Sequence, residues 1–287
     1  MKSINRISVI LTIILFILIT NEGECQAFKH NSLTRLWENN TGLITPESVL
    51  YDRNCNELYV SCINQNPWQK DNNGYIARLS ADGSILNSSW ATGLSAPKGM
   101  GIFGSYLYVT DIDEVVILNL SDGTIVKKIG HPQAQNLNDI AIDAGGNVYI
   151  SDSKANCIFK LSSGNLQILS KDTALVGSNG LYVDNGKLLC GTRNNIQQID
   201  LSTGKASLFI DNTGSIDGLE SIDGRKYLIS DWIGHIYKVE KNKNKVLLLD
   251  TTPDVTNAAD IGFNAKESII YVPTFFHNSV VAYKLKK

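Results

Sequence analysis

Six strand-like openings, PESVLYD, APKGMGI, LNDIAID, SNGLYVD, IDGLESI and AADIGFN, recur along the chain at an almost fixed interval. Their equivalent position holds Glu47, Lys98, Asn138, Asn179, Asp217 and Ala259, so the spacings are 51, 40, 41, 38 and 42 residues. A period near 40 built from short strands predicts a β-propeller with one blade per repeat. In such a ring the innermost strands surround one axis. Residues scattered along the sequence would therefore converge if they share the repeat position.

Within each repeat, four short β-type runs alternate with turn residues. The second repeat reads KGMGIF (98–103), YLYVTD (106–111), EVVILNL (114–120) and TIVKKIG (124–130), punctuated by Gly104-Ser105 and Ser121-Asp122-Gly123. No segment keeps a helical period over 12 residues. The last repeat stops one strand short at Lys287, and the leading run 32–39 has no blade of its own. Pairing the two would close an all-β, six-bladed propeller of four antiparallel strands per blade without an open edge.

Residues 1–27 read as a secretory signal peptide: Lys2 and Arg6 precede the apolar stretch Ile7–Ile19, with small residues near Ala27. Thirteen apolar residues are too few to span a bilayer, and no later segment is apolar enough. The expectation is an exported protein, periplasmic or secreted, with residues 28–287 as one domain. Twenty-six basic against 28 acidic residues and no basic cluster argue against nucleic acid or an anionic membrane as partner. Cys55, Cys62, Cys157 and Cys190 are placed in a turn and in strands where no disulfide is expected.

Glu47 and Asp217 would bring two carboxylates to the ring position, and Asn138 and Asn179 two amide oxygens. That donor set suits one hard divalent cation, calcium first, with magnesium, manganese or zinc as alternatives. Asn-Asp and Asn-Gly alone are ordinary turn dipeptides. Here they share one repeat position directly before an apolar strand. Lys98 occupies the same position and would answer the carboxylate charge or act on substrate. The loops on that face bring Trp68 in the long segment 64–74, a candidate lid, with Asn136, Arg193, Trp232, His235 and His277 as candidate substrate contacts and His131 at the rim. Asp111, Asp152 and Asp231, each ending a second strand, are expected to bond the backbone of their own turns.

These segments resemble the six-bladed propellers grouped as senescence marker protein, gluconolactonase and luciferin-regenerating-enzyme-like proteins. Glu47 in ESVLYDRNCNELYV, Asn138 in NLNDIAIDAGGNVYISD, Asn179 in SNGLYVDNGKLLCG and Asp217 in IDGLESIDGRKYLISDW carry the resemblance. It implies a divalent metal held by those four residues, Asp217 as general base, and hydrolysis of a small sugar-derived lactone. Asn136 stands where relatives acting on sugar lactones often have Arg. The repeats also look like NHL-type propellers, many of which only bind proteins or glycans. Strictosidine-synthase-like propellers are similar in their blades and use a deeper Glu, for which Glu220 is the nearest residue.

Overall fold

The computed structural model describes residues 27–184 and 186–286, so the expected leader lies outside the described residues. Blade one consists of β3 (Pro46–Asp52), β4 (Glu57–Cys62), β5 (Gly74–Ser80) and β6 (Ile85–Leu94). Blade two is β7 (Pro97–Phe103), β8 (Tyr106–Asp111), β9 (Glu114–Asn119) and β10 (Ile125–Gly130). Blade three is β11 (Leu137–Ile142), β12 (Val148–Asp152), β13 (Cys157–Ser162) and β14 (Asn165–Ser170). Blade four is β15 (Leu181–Asp184), β16 (Lys187–Gly191), β17 (Ile196–Ile199) and β18 (Ala206–Ile210). Blade five is β19 (Leu219–Ser221), β20 (Lys226–Asp231), β21 (His235–Glu240) and β22 (Val246–Asp250). Each is a sequential antiparallel meander, which short turns permit.

The sixth blade is shared between the two ends of the described chain. β23 (Gly262–Asn264), β24 (Ile269–Pro273) and β25 (Val280–Leu285) are completed by β2 (Leu33–Asn39), paired Leu33 to Leu285 through Asn39 to Val280. The ring therefore closes as the sequence predicts. A two-residue strand, β1 (Phe28–Lys29), adds a fifth strand to the outer edge of blade five. Two residues carry no alternation to recognise, so the sequence did not reveal it. Helix is confined to three single 3₁₀ turns among the described residues.

Every middle strand packs on both faces, because a blade is pressed between two others. That is why ELYVSC, YLYVTD and VYISD are almost wholly buried, whereas the outermost IVKKIG is mostly exposed. Six core clusters lie one at each interface between blades, and a seventh, smaller one gathers residues of several blades. Blades two and three, for example, bury Val115, Ile129, Ile150 and Phe159 together, and blades six and one bury Leu58, Val60, Tyr271 and Ala282. Each such side chain contributes about 1.5–3 kcal/mol when fully buried. All four described cysteines are unpaired, with only Cys55 exposed.

Candidate functional site

The ring position sits just inside, or just ahead of, each innermost strand. Its backbone is fixed by the blade before it. The hydroxyl of Thr110, one residue before the end of β8, donates to the Asn138 carbonyl at 2.5 Å. Ser230, at the same place in β20, donates to the Ala259 carbonyl at 2.7 Å. The position after the ring residue makes the other contacts between blades. Where it is Gly99, a methyl group would lie 2.5 Å from the Asp139 Cα, and at Gly180 it would lie 2.6 Å from the Asp217 carbonyl oxygen. Where it is Ser48, Asp139 or Asp260 the side chain bonds instead: Ser48 Oγ donates to Asp260 Oδ2 at 2.5 Å, and Asp139 Oδ2 accepts from the Leu181 amide at 2.6 Å. The Lys-Gly, Asn-Gly and Asp-Gly openings therefore mark close backbone approach, not turns.

At the centre, Asn179 donates from Nδ2 to Asp217 Oδ1 at 2.6 Å, joining blades four and five. Three oxygens here are buried and without a hydrogen-bond partner: Glu47 Oε2, Asn179 Oδ1 and Asp217 Oδ2. Glu47, Lys98, Asn138 and Asp217 are 4, 2, 8 and 7% exposed. Burial and then the charge of Asp217 hold the Glu47 carboxyl well above the usual carboxylate range, with Lys98 pulling the other way. Burial raises Asp217 to about 6, opposed by the Asn179 hydrogen bond and reinforced by Asp231. Burial lowers the Lys98 ammonium, which Glu47, Asp111 and Asp217 partly restore. These mutual effects place Glu47, Lys98 and Asp217 in one electrostatic cluster, as their shared repeat position requires.

A buried polar atom left without a partner costs about 1–3 kcal/mol. Three such oxygens around two carboxylates have the chemistry a hard cation satisfies, so the residues present fit the expected group. Among the described residues no group of three or more His, Cys, Asp or Glu could hold a metal ion. A cation here would need the amide oxygens of Asn138 and Asn179 as well as the two acids.

Lys98 is also tied to the long loop of blade one. Its Nζ donates to the Pro67 carbonyl at 3.2 Å and the Ala96 carbonyl at 3.1 Å, and lies 4.7 Å from the centre of the Trp68 ring. Pro67 and Trp68 of the segment 64–74 thus contact blade two's ring residue. Arg193 is exposed at the rim and packs over Gly177. Asn136 is half-buried, its amide donating to Asp152 Oδ1 at 3.2 Å.

The histidines are engaged elsewhere. His235 Nδ1 lies 2.8 Å from Asp231 Oδ2 and its Nε2 3.6 Å from Asp250 Oδ1. His277 is exposed, 3.8 Å from Glu38 Oε1, and His131 rests against the Phe159 ring at 5.1 Å. Trp232 belongs to an aromatic group with Phe275 and Phe276. The strand-ending acids differ from expectation in one case. Asp231 does bond its own turn, at Gly234 and His235, and Asp152 bonds both its turn and the Gln135 amide. Asp111 instead accepts from the Ser95 and Ala96 amides, 2.8 and 2.7 Å away. A carboxylate at that corner reaches the segment leading into the innermost strand as readily as its own turn.

Two further buried acids, Asp139 and Asp260, were not singled out from sequence, whereas the half-buried Glu220 was. Asp139 and Asp260 directly follow ring residues, and with Glu220 they line a cavity of about 850 Å³ bounded by the innermost strands and also lined by Arg53, Tyr51 and Tyr182. Burial raises Asp139 to about 7 and Glu220 to about 8, and lifts Asp260 well above its ordinary value. An Asp inside the apolar runs NDIAI and ADIGF was the available signal.

No protein-family model matches the chain, and no curated protein matches it significantly in sequence. Solved structures do share its shape. A catalytically inactive virginiamycin B lyase from Staphylococcus aureus with quinupristin aligns at a TM-score of 0.62 and 15% identity, over 88% of this chain and 99% of the other. A streptogramin B lyase aligns at 0.62 and 15%, over 88% and 97%. A candidate gluconolactonase aligns at 0.65 and 15%, over 88% and 91%. At such identity the likeness is one of fold: this chain is a six-bladed propeller of the architecture found in gluconolactonase-like and lyase propellers.

Proposed function

We propose that this protein is a divalent-cation-dependent hydrolase of a lactone or related cyclic ester. The observation that carries the reading is the set of unpartnered buried oxygens on Glu47, Asn179 and Asp217. Glu47, Asn138, Asn179 and Asp217 would hold the cation, calcium first among the candidates, which when bound would supply Lewis-acid polarisation of the ester carbonyl. Asp217 would accept a proton from the attacking water. Water adds to the carbonyl carbon, the ring C–O bond breaks, and the departing alkoxide takes a proton. Lys98 is the cationic group of the cluster and would supply that proton.

The test is turnover of a panel of aldonolactones and simple aliphatic lactones, with chelator and with added calcium, magnesium, manganese or zinc. Activity that chelation abolishes and Asp217→Asn removes in a folded protein supports the reading; activity surviving exhaustive chelation overturns it. A second reading, a non-catalytic NHL-type propeller with a structural cation, draws on the near-complete burial of Glu47, Lys98 and Asp217. Cation binding without turnover of any ester in the panel would favour it. The lyase whose inactive form carries a histidine-to-alanine change suggests imidazole chemistry. Here the ring contacts of His30, His131, His235 and His277 are with groups other than the oxygen cluster.

A further inference from the structure

The residue that follows the equivalent segments YVSC, YVTD, YISD, LCGT, LISD and YVPT is Ile63, Ile112, Ser153, Arg193, Trp232 and Phe275, from blade one to blade six. It is apolar in blades five, six, one and two, which are consecutive around the ring, and polar in blades three and four. Ile63, Ile112 and Phe275 form one buried cluster with Ala96 and Ala259. Ala259 is blade six's own ring residue, so this buried apolar packing begins at the ring of oxygen donors. It then continues outward: the Phe275 ring lies 4.7 Å from Phe276 and 5.4 Å from Trp232, and Trp232 lies 5.8 Å from Phe276. Trp232, Ile233 and Phe276 are 42, 59 and 61% exposed. Trp232 is also tied to the site through the backbone, since the Asp217 amide donates to the Ser230 carbonyl at 2.8 Å, two residues before it.

Resting on the hydrolase reading above, we infer that this sector is an apolar subsite of the same mouth, and that the cyclic ester carries a hydrocarbon or aromatic tail. Its carbonyl end meets the oxygen cluster while its tail lies on Trp232, Phe276 and Ile233. A free sugar lactone carries hydroxyls around most of its ring and gains little from such a wall. An alkyl tail gains the transfer free energy of each methylene removed from water. Continuity from Ala259 through Phe275 to the exposed rings is what assigns the patch to the substrate of this site.

The experiment compares γ-butyrolactone with γ-lactones bearing two-, four- and six-carbon tails, and measures binding of the matching 5-alkyl-2-pyrrolidones, which are not hydrolysed. The expected result is a rise in both kcat/KM and pyrrolidone affinity of about two- to fourfold per added methylene over the first four carbons. Phe276→Ser and, separately, Trp232→Ala should flatten that dependence. Turnover and binding independent of tail length overturn the subsite and leave the hydrolase reading intact. Tail-graded pyrrolidone binding without turnover of any lactone overturns the hydrolase reading and leaves the subsite standing. Self-association abolished by Phe276→Ser would assign the patch to a second copy of the chain and overturn the proposal.

Discussion

The Asn179 amide nitrogen donates to Asp217 Oδ1 across the gap between blades four and five, which leaves Asn179 Oδ1 and Asp217 Oδ2 each without a partner. The bond fixes which end of the amide serves Asp217 and so commits the Asn179 Oδ1 to another role. Asp217→Asn would replace a charged acceptor by an amide, removing one of the site's two negative charges. Calcium affinity measured calorimetrically should fall by about two orders of magnitude. The variant without cation should be no less stable than the parent, because a buried charge has gone. Unchanged calcium affinity would separate Asp217 from any cation site.

Lys98 supplies the positive charge facing Glu47 and Asp217. Lys98→Met keeps the length of the stem and removes that charge. In chelator the variant should lose about 3 kcal/mol of stability or more, as expected when one partner of a buried charge cluster is deleted. Millimolar calcium should recover part of the loss by mass action. Denaturant unfolding with and without the ion measures both. A variant as stable as the parent in chelator would show that Lys98 does not balance the acids.

Glu220 titrates at about 8 in the fold against an ordinary 4.5, chiefly through burial. Below 4.5 the carboxyl is neutral in both states and exacts no penalty. Between 4.5 and 8 the folded protein holds a proton that the unfolded chain has released, so stability falls as pH rises through that window. Above 8 the penalty is complete. Glu220→Gln mimics the neutral acid. Its advantage over the parent should be absent near pH 4.5, grow to a few kcal/mol and level off above pH 8. Parallel stability curves for the two proteins from pH 5 to 9 would refute the raised pKa.

Gly99 meets the next blade at Asp139 and Asn138, with the place of a methyl group only 2.5 Å from the Asp139 Cα. Gly99→Ala should destabilise the ring by about 1–3 kcal/mol and weaken calcium binding by displacing Asn138. Gly104→Ala is the control, since at Gly104 a methyl group would meet nothing within 4 Å, although its positive φ carries a backbone cost of its own. Equal thermal shifts in the two variants would mean that crowding at Gly99 is relieved without moving blade three.

Periodicity made the propeller, the closing strand 33–39 and the convergence of the ring residues legible, because burial on both faces leaves middle strands such as YVTD and YISD nearly alike. The ring residue recurs for the same reason. What lay beyond reading were contacts that repeat imperfectly. Thr110 and Ser230 hold the next blade's carbonyl, a use of hydroxyls that looks like ordinary strand composition. Asp139 and Asp260 hid inside apolar runs. The resemblance to lactone-hydrolysing propellers named metal ligands, but it carried no sign of the partners His235 meets, Asp231 at 2.8 Å from Nδ1 and Asp250 at 3.6 Å from Nε2. A histidine's partners depend on chain neighbours in space, here a strand fifteen residues away.

Leu33, pairing with Leu285, brings together segments about 250 residues apart in sequence. Contacts of such range form late in folding. During synthesis β2 must wait for this partner until β25 has appeared. Losing β25 would then cost more than its own contacts, since β2 would have nothing to dock against and the toroid could not shut.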